Sequence, residues 1–197
     1  WRILDDTYGE GTALIVCDVI VDQVAYQSNY IKSGSYYYAT DEGGTILIDE
    51  DATIGEGVDS NYQVYANNYK HSELREYLTG TFYNTAFNAN EKSSIVQTVV
   101  DNSLASTSNF GGQYVCENTN DYVFALSYVE AENTDRNFKP TSYAIANGTL
   151  TDMGHSRSPS DDYIYGNYAY YVYDGICAST TVYADRSGAV PALQIKL

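Results

Sequence analysis

The sequence predicts an α+β fold: two short helices, small antiparallel sheets and long loops. Three observations carry that expectation. Strand-like apolar runs occupy both ends of the chain, and two capped helix starts sit together in the middle. Helices and strands therefore come in blocks instead of alternating, which disfavours a parallel α/β sheet. No internal repeat is present, and residues 1–197 read as one domain.

Taken in order, Trp1 to Tyr26 reads as strands, with Leu14 to Val21 nearly continuous apolar and β-branched apart from Asp18. From Gln27 to Asn68 the character changes to Tyr, Gly, Ser, Asp and Glu, as in an insertion or an elaborated hairpin over 27–68. One strand, Thr45-Ile46-Leu47-Ile48, stands out in it, beside an acidic run of Asp49, Glu50, Asp51, Glu56 and Asp59. Ser72 can cap a helix with Glu73 and Glu76 in its first turn, where carboxylates favour the helix dipole. Leu74, Tyr77 and Leu78 share one face, and Gly80 is the expected stop. Asn88 and Glu91 have capping-box spacing and open a second helix with Ile95, Val96, Val99 and Val100 inward. Tyr122 to Tyr128 reads as a central strand, and everything after Gly154 as short strand and turn.

Hydrophobic residues make up 44% of the 197, enough for a core, so disorder is not expected. The net charge of −16 argues against nucleic acid, whose phosphates call for Lys and Arg, and against anionic membrane surfaces. It is compatible with calcium, with cationic partners, or with a solvated acidic surface outside the cell. No apolar run approaches the length of a transmembrane segment. The chain opens on Trp1 and not Met, so its start reads as processed or incomplete, with any signal peptide upstream. Cys17, Cys116 and Cys177 are odd in number and lack C-x-x-C spacing; one disulfide plus a free thiol and three buried thiols are both open. Cys17, within Leu14-Ile15-Val16-Cys17, is expected to be an inert packed thiol.

Tyrosine is the outlier, with 22 residues against 5 Phe and 1 Trp. A core selected for stability alone would use Phe and Leu, which bring no hydroxyl that must be satisfied. Tyr in company with Ser, Asn, Asp and Gly is instead the composition of recognition surfaces.

Several segments resemble a bacterial family of unknown function whose domains are thought to take the C-type-lectin-like fold. Tyr69-Lys70-His71-Ser72-Glu73-Leu74-Arg75-Glu76-Tyr77-Leu78 is similar to its W-x-x-S-x-L-R-x-W-L. Phe82-Tyr83, Ala86-Phe87, Glu91 and Ile95 look like its F-Y-x-x-A-F followed by E-x-x-x-I. Asp121 to Ser127 with Glu130 is similar to D-x-V-F-L-L-S-x-x-E, Arg157-Ser158-Pro159 to R-S-P, and Pro191-Ala192-Leu193 to R-P-A-L without its Arg. The last section, 155–193, also resembles the variable region of proteins diversified by retroelements, in which randomised Asn codons never yield Lys, Glu, Gln, Met or Trp. From His155 through Leu193 none of those five residues occurs. What these resemblances imply is an extracellular or cell-surface module for display or adhesion, binding a protein or glycan on another cell or surface.

On that reading the ligand-binding residues are Asp161, Asp162, Tyr163, Tyr165, Asn167, Tyr168, Tyr170, Tyr173 and Asp174, expected largely exposed on one face, with Tyr171 held as core. Alternation limits which of Tyr168 to Tyr173 can share that face, and Tyr173 reaches it only through a bulge or turn. His155 stands in the same section and is a further candidate contact.

Enzymatic chemistry finds little support. His71 and His155 are the only histidines, and no G-x-S-x-G, H-E-x-x-H, P-loop or dinucleotide fingerprint is present. No catalytic residue, cofactor or metal ligand is expected. Calcium ligands would have to come from Asp49, Glu50, Asp51, Glu56 and Asp59, whose spacing is not that of an EF-hand and which read better as a solvated loop. The alternative readings are a structural subunit of a surface filament or layer and, further off, a formylglycine-generating-type oxidase using Cys116 and Cys177. Arg75, on the inner side of its helix, is expected to pair with Asp121 or Glu130.

Overall fold

The computed structural model describes residues 1–107, 112–132, 138–149, 151–160, 165–184 and 187–197. It is an α+β structure dominated by sheet. The chain begins with a hairpin, β1 (Arg2–Gly9) and β2 (Thr12–Val16), turned at Gly11 with φ of 66°. Short strands β3 (Val19–Ile20) and β4 (Asp22–Gln23) precede a second hairpin, β5 (Tyr30–Ser33) and β6 (Tyr36–Ala39), whose turn holds Gly34.

The middle of the chain is helical. Helix α1 (Glu73–Glu76) opens on Ser72, whose hydroxyl accepts from the Arg75 N–H at 3.1 Å. The helical course does not stop at Gly80 as expected: it widens into a π-type stretch over Tyr77–Phe82 and continues as α2 (Tyr83–Ala86). Helix α3 (Ala89–Ser94) carries the predicted capping box between Asn88 and Glu91. It ends earlier than predicted. From Ile95 the chain forms β7 (Ile95–Val96) and β8 (Thr98–Val100), and Val99 points out with 65% exposure. Consecutive β-branched residues lose side-chain freedom in a helix and fit a pleated strand better, so strand pairing wins there.

Further on come β9 (Thr119–Asp121), α4 (Tyr128–Glu132), β10 (Lys139–Pro140) and α5 (Ser142–Ala146). The C-terminal section supplies β11 (Gly154–Ser160), β12 (Tyr168–Tyr173), β13 (Ile176–Thr181), β14 (Gly188–Ala189) and β15 (Ala192–Lys196). The described helices thus outnumber the two predicted. None of them is long and apolar enough to cross a membrane.

Two larger sheets hold nine of these strands, while β10-β3, β5-β6 and β8-β9 pair separately. One has the order β1-β2-β15-β7, so the last strand lies in its interior. The other has the order β13-β12-β11-β14-β4. Residues Val123 to Leu126 run between two apolar clusters, and the period of two decides which side chain enters which. Val123 and Ala125 join Leu74, Leu78, Ala169 and Leu193, while Phe124 and Leu126 join Leu14, Ile20, Val172 and Val190. The predicted central position of this segment is therefore met in burial, although its pairing is a single bridge from Phe124 to Ala192. Thr45 to Ile48 likewise makes isolated bridges and no strand.

Residues 27–68 are bound into the rest of the molecule. Tyr38 and Tyr65 stack at 5.5 Å, and Tyr65 meets Tyr114 edge-on at 5.1 Å. Buried Tyr26, Tyr69 and Tyr114 are likewise interior, so part of the tyrosine excess serves packing and not a surface.

Candidate functional site

One backbone bond joins the second hairpin to the C-terminal section, a second joins residue 67 to it, and a third closes that section on itself. The Tyr37 N–H donates to the Tyr165 carbonyl at 2.8 Å, the Asn67 N–H to the Gly166 carbonyl at 3.0 Å, and the Val182 N–H to the Asn167 carbonyl at 2.9 Å. Gly166 is required at the junction. Its φ is 73°, and a Cβ there would come within 2.8 Å of the Tyr65 ring.

Between these elements lies a cleft of about 380 Å³ lined by Lys32, Gly34, Ser35, Tyr37, Tyr165, Asn167, Tyr168 and Tyr183. Its volume falls in the range of small-ligand sites. Tyr183 is held by Tyr30, which stacks on it at 4.7 Å and 18°. Burial, and then the neighbouring Tyr183 and Tyr37, raise the Tyr30 phenol above its usual range, so it stays a neutral hydroxyl. The Lys32 ammonium lies 5.4 Å from the centre of the Tyr37 ring. Tyr165 is 39% exposed at the rim, while Asn167 lines the cleft with only 3% exposure. Asn167 Oδ1 is buried without a hydrogen-bond partner among the described residues. An unmet buried acceptor costs free energy, so it marks a position where a donor is wanted.

The predicted ligand residues divide. Tyr165, Asn167 and Tyr168 come together in the cleft. Tyr173 and Asp174 are exposed at the β12–β13 turn, where Asp174 takes φ of 50°. Asp161, Asp162 and Tyr163 lie outside the described residues. Two of the predicted ligand residues are not exposed as expected. Tyr170 is buried, because helix α4 covers that face of β12 and places Tyr128 4.5 Å from it. Asn167 is also buried, its backbone tied to Val182. Tyr171, expected in the core, is half-buried. His155, the further candidate, is buried edge-on to Tyr26 at 6.1 Å and is not among the residues that line the cleft. Lys32, Tyr37 and Tyr183 escaped prediction; the run Tyr36-Tyr37-Tyr38 around Ser33-Gly34-Ser35 was the available signal, since it reads as a tyrosine-bearing hairpin.

The other candidate centres are structural. Asp49 is buried and receives both Lys70 Nζ and His71 Nε2 at 2.7 Å, and Asp59 Oδ1 accepts from the N–H groups of Asn61 and Gln63. The acidic run is therefore not simply a solvated loop. No group of three or more His, Cys, Asp or Glu suited to a metal ion occurs among the described residues. Cys17, Cys116 and Cys177 are free thiols, the first two buried. Burial pushes Cys116 and Cys177 up to about 11, away from the thiolate form that nucleophilic or metal chemistry needs. They also sit in different apolar clusters.

The fold and the cleft define an α+β protein with a tyrosine-lined site between a hairpin and a C-terminal sheet. The chain belongs to the family described as Domain of unknown function (DUF6273), whose model matches residues 42–197. That match takes in residues 42–68 of the segment read from sequence as an insertion. No curated protein and no solved structure matches the chain.

Proposed function

We propose that this protein is an extracellular ligand-binding module of C-type-lectin-like fold, used for display or adhesion and without catalytic activity. The observation that carries the reading is the cleft. Residues nominated from sequence for recognition, Tyr165, Asn167 and Tyr168, line one concavity with Tyr37 and Tyr183 from remote segments. Tyrosines held by neighbours offer wide contact area at little entropic cost, which suits binding more than chemistry. The protonated, separated cysteines favour this reading over an oxidase.

The test is binding of the labelled chain to printed arrays of glycans and of cell-surface proteins, together with its mass in solution. A monomer whose array signal disappears in Tyr165→Ala and Tyr183→Ala is the expected result. Self-association with no binding would favour a filament or layer subunit, and binding indifferent to both substitutions would overturn the assignment to this cleft.

A further inference from the structure

We propose that the cleft takes a saccharide bearing a single carboxylate, an inference that rests on the ligand-binding reading above. Lys32 carries the first part of the argument. The chain holds 26 Asp and Glu against 10 Lys and Arg. Arg2, Lys70, Arg75, Lys139 and Arg157 are each engaged by a carboxylate. Lys32 has no such partner among the described residues, as is also true of Lys92 and Lys196, but it alone of the three lines this cleft, where its ammonium faces the Tyr37 ring. Among the described residues that line it, the cleft has no Asp or Glu, whereas the clefts beside Glu56 and Glu117 and beside Glu91 do. This is thus a locally cationic spot on an anionic protein, suited to one negative group. A polyanion would meet the repulsion of the whole −16 chain.

The rest of the lining specifies the body of the ligand. A pyranose presents an apolar C–H face and an edge of hydroxyls. The first packs against the negative face of a phenol ring, and the second needs donors and acceptors close by. Tyr37, Tyr165, Tyr168 and Tyr183 supply rings and hydroxyls, and Ser35 adds another hydroxyl. Asn167 adds a lining amide whose Oδ1 has no partner among the described residues. A peptide side chain of apolar character would leave these groups unpaired.

Calorimetry and saturation-transfer NMR on the full chain, with sialyllactose and a glucuronate-terminated disaccharide against lactose and cellobiose, provide the test. The acidic sugars should bind at least about tenfold more tightly than the neutral ones, and the gap should narrow with added salt. Lys32→Ala should remove the preference and Lys32→Arg should keep it; Lys32 is exposed on a hairpin, so neither change threatens folding. Equal binding of neutral and acidic sugars, an unchanged preference in Lys32→Ala, or no binding of either acidic sugar overturns the proposal. If sugars fail while array-bound proteins still lose contact with Tyr165→Ala and Tyr183→Ala, the ligand class is wrong and the binding site stands. If those two substitutions alter no binding at all, the site itself is wrong.

Discussion

Arg75 grips Asp121 in a forked contact: Nη2 lies 2.7 Å from Oδ1 and Nε 3.0 Å from Oδ2. The Asp121 side chain is almost wholly buried and takes a further hydrogen bond from Thr119 Oγ1 at 2.7 Å. The arrangement pins α1 to β9.

Arg75→Ala leaves a buried carboxylate without its cation. Stability should fall by about 3 kcal/mol, read from denaturant unfolding. Arg75→Lys should recover only part of it, since an ammonium cannot make the fork. Equal stability of the three proteins would show that the pair contributes nothing.

Glu130 performs the matching task for buried Arg157, with Nη1 2.5 Å from Oε2. Burial opposes its charge, but Arg157's charge and hydrogen bond, with further bonds from Ser127 and Tyr8, hold the carboxyl below its ordinary value. A carboxyl depressed in the folded state stabilises above its unfolded value and loses that contribution as pH falls. Melting temperature should therefore drop on acidification below about pH 4.5, and Glu130→Gln should flatten that limb while lowering stability at neutral pH.

His155 acts over a higher range. Burial presses it down to about 4, only partly opposed by the Val24 backbone, and neither ring nitrogen has a full hydrogen bond. The unfolded chain takes up its proton near pH 6.5, while the folded chain refuses it until about 4. Between those values acidification favours unfolding, by up to about 3 kcal/mol in all. In His155→Phe the loss of stability between pH 7 and 5 should shrink, as chemical denaturation at the two pH values would show.

The two classes of tyrosine in the C-terminal section should separate on mutation. Tyr170→Ala removes a buried ring that touches Tyr128, and should cost about 3 kcal/mol. Tyr165→Ala and Tyr173→Ala, at exposed positions, should stay within about 0.5 kcal/mol of the parent in thermal melts.

Gly166→Ala should fail at the cleft. The positive φ and the clash with Tyr65 both oppose a side chain, so a loss of about 2 kcal/mol is expected. Tyr37 and Tyr165 should separate with it, visible as faster exchange of the Tyr37 amide proton.

Local features were the legible ones. Ser72 and the Asn88–Glu91 pair cap helices as their spacing demands, because a cap needs only its own next three residues. The Arg75–Asp121 pair was legible for a different reason: an arginine beside Leu74 and Leu78 on an inner face needs a counter-charge. The stretch Ile95 to Val100 misled because four apolar residues fit helical spacing as well as strand pairing. At the site, Tyr165 and Tyr168 were legible as a tyrosine-rich segment. Lys32, Tyr37 and Tyr183 were not, since their meeting depends on backbone bonds between distant parts of the chain. The burial of Tyr170 depends on where α4 settles, which no pattern within β12 encodes.

The interior place of β15 governs the order of assembly. Until Ala192 to Lys196 has left the ribosome, β2 and β7 have no strand between them, and Leu193 is missing from its apolar cluster. Contacts between segments far apart in sequence close slowly, because a long loop must be ordered before they reward it. Until β15 is made, the β1–β2 hairpin waits with an unpaired edge, and loss of Ala192 to Lys196 would remove a central strand of the sheet.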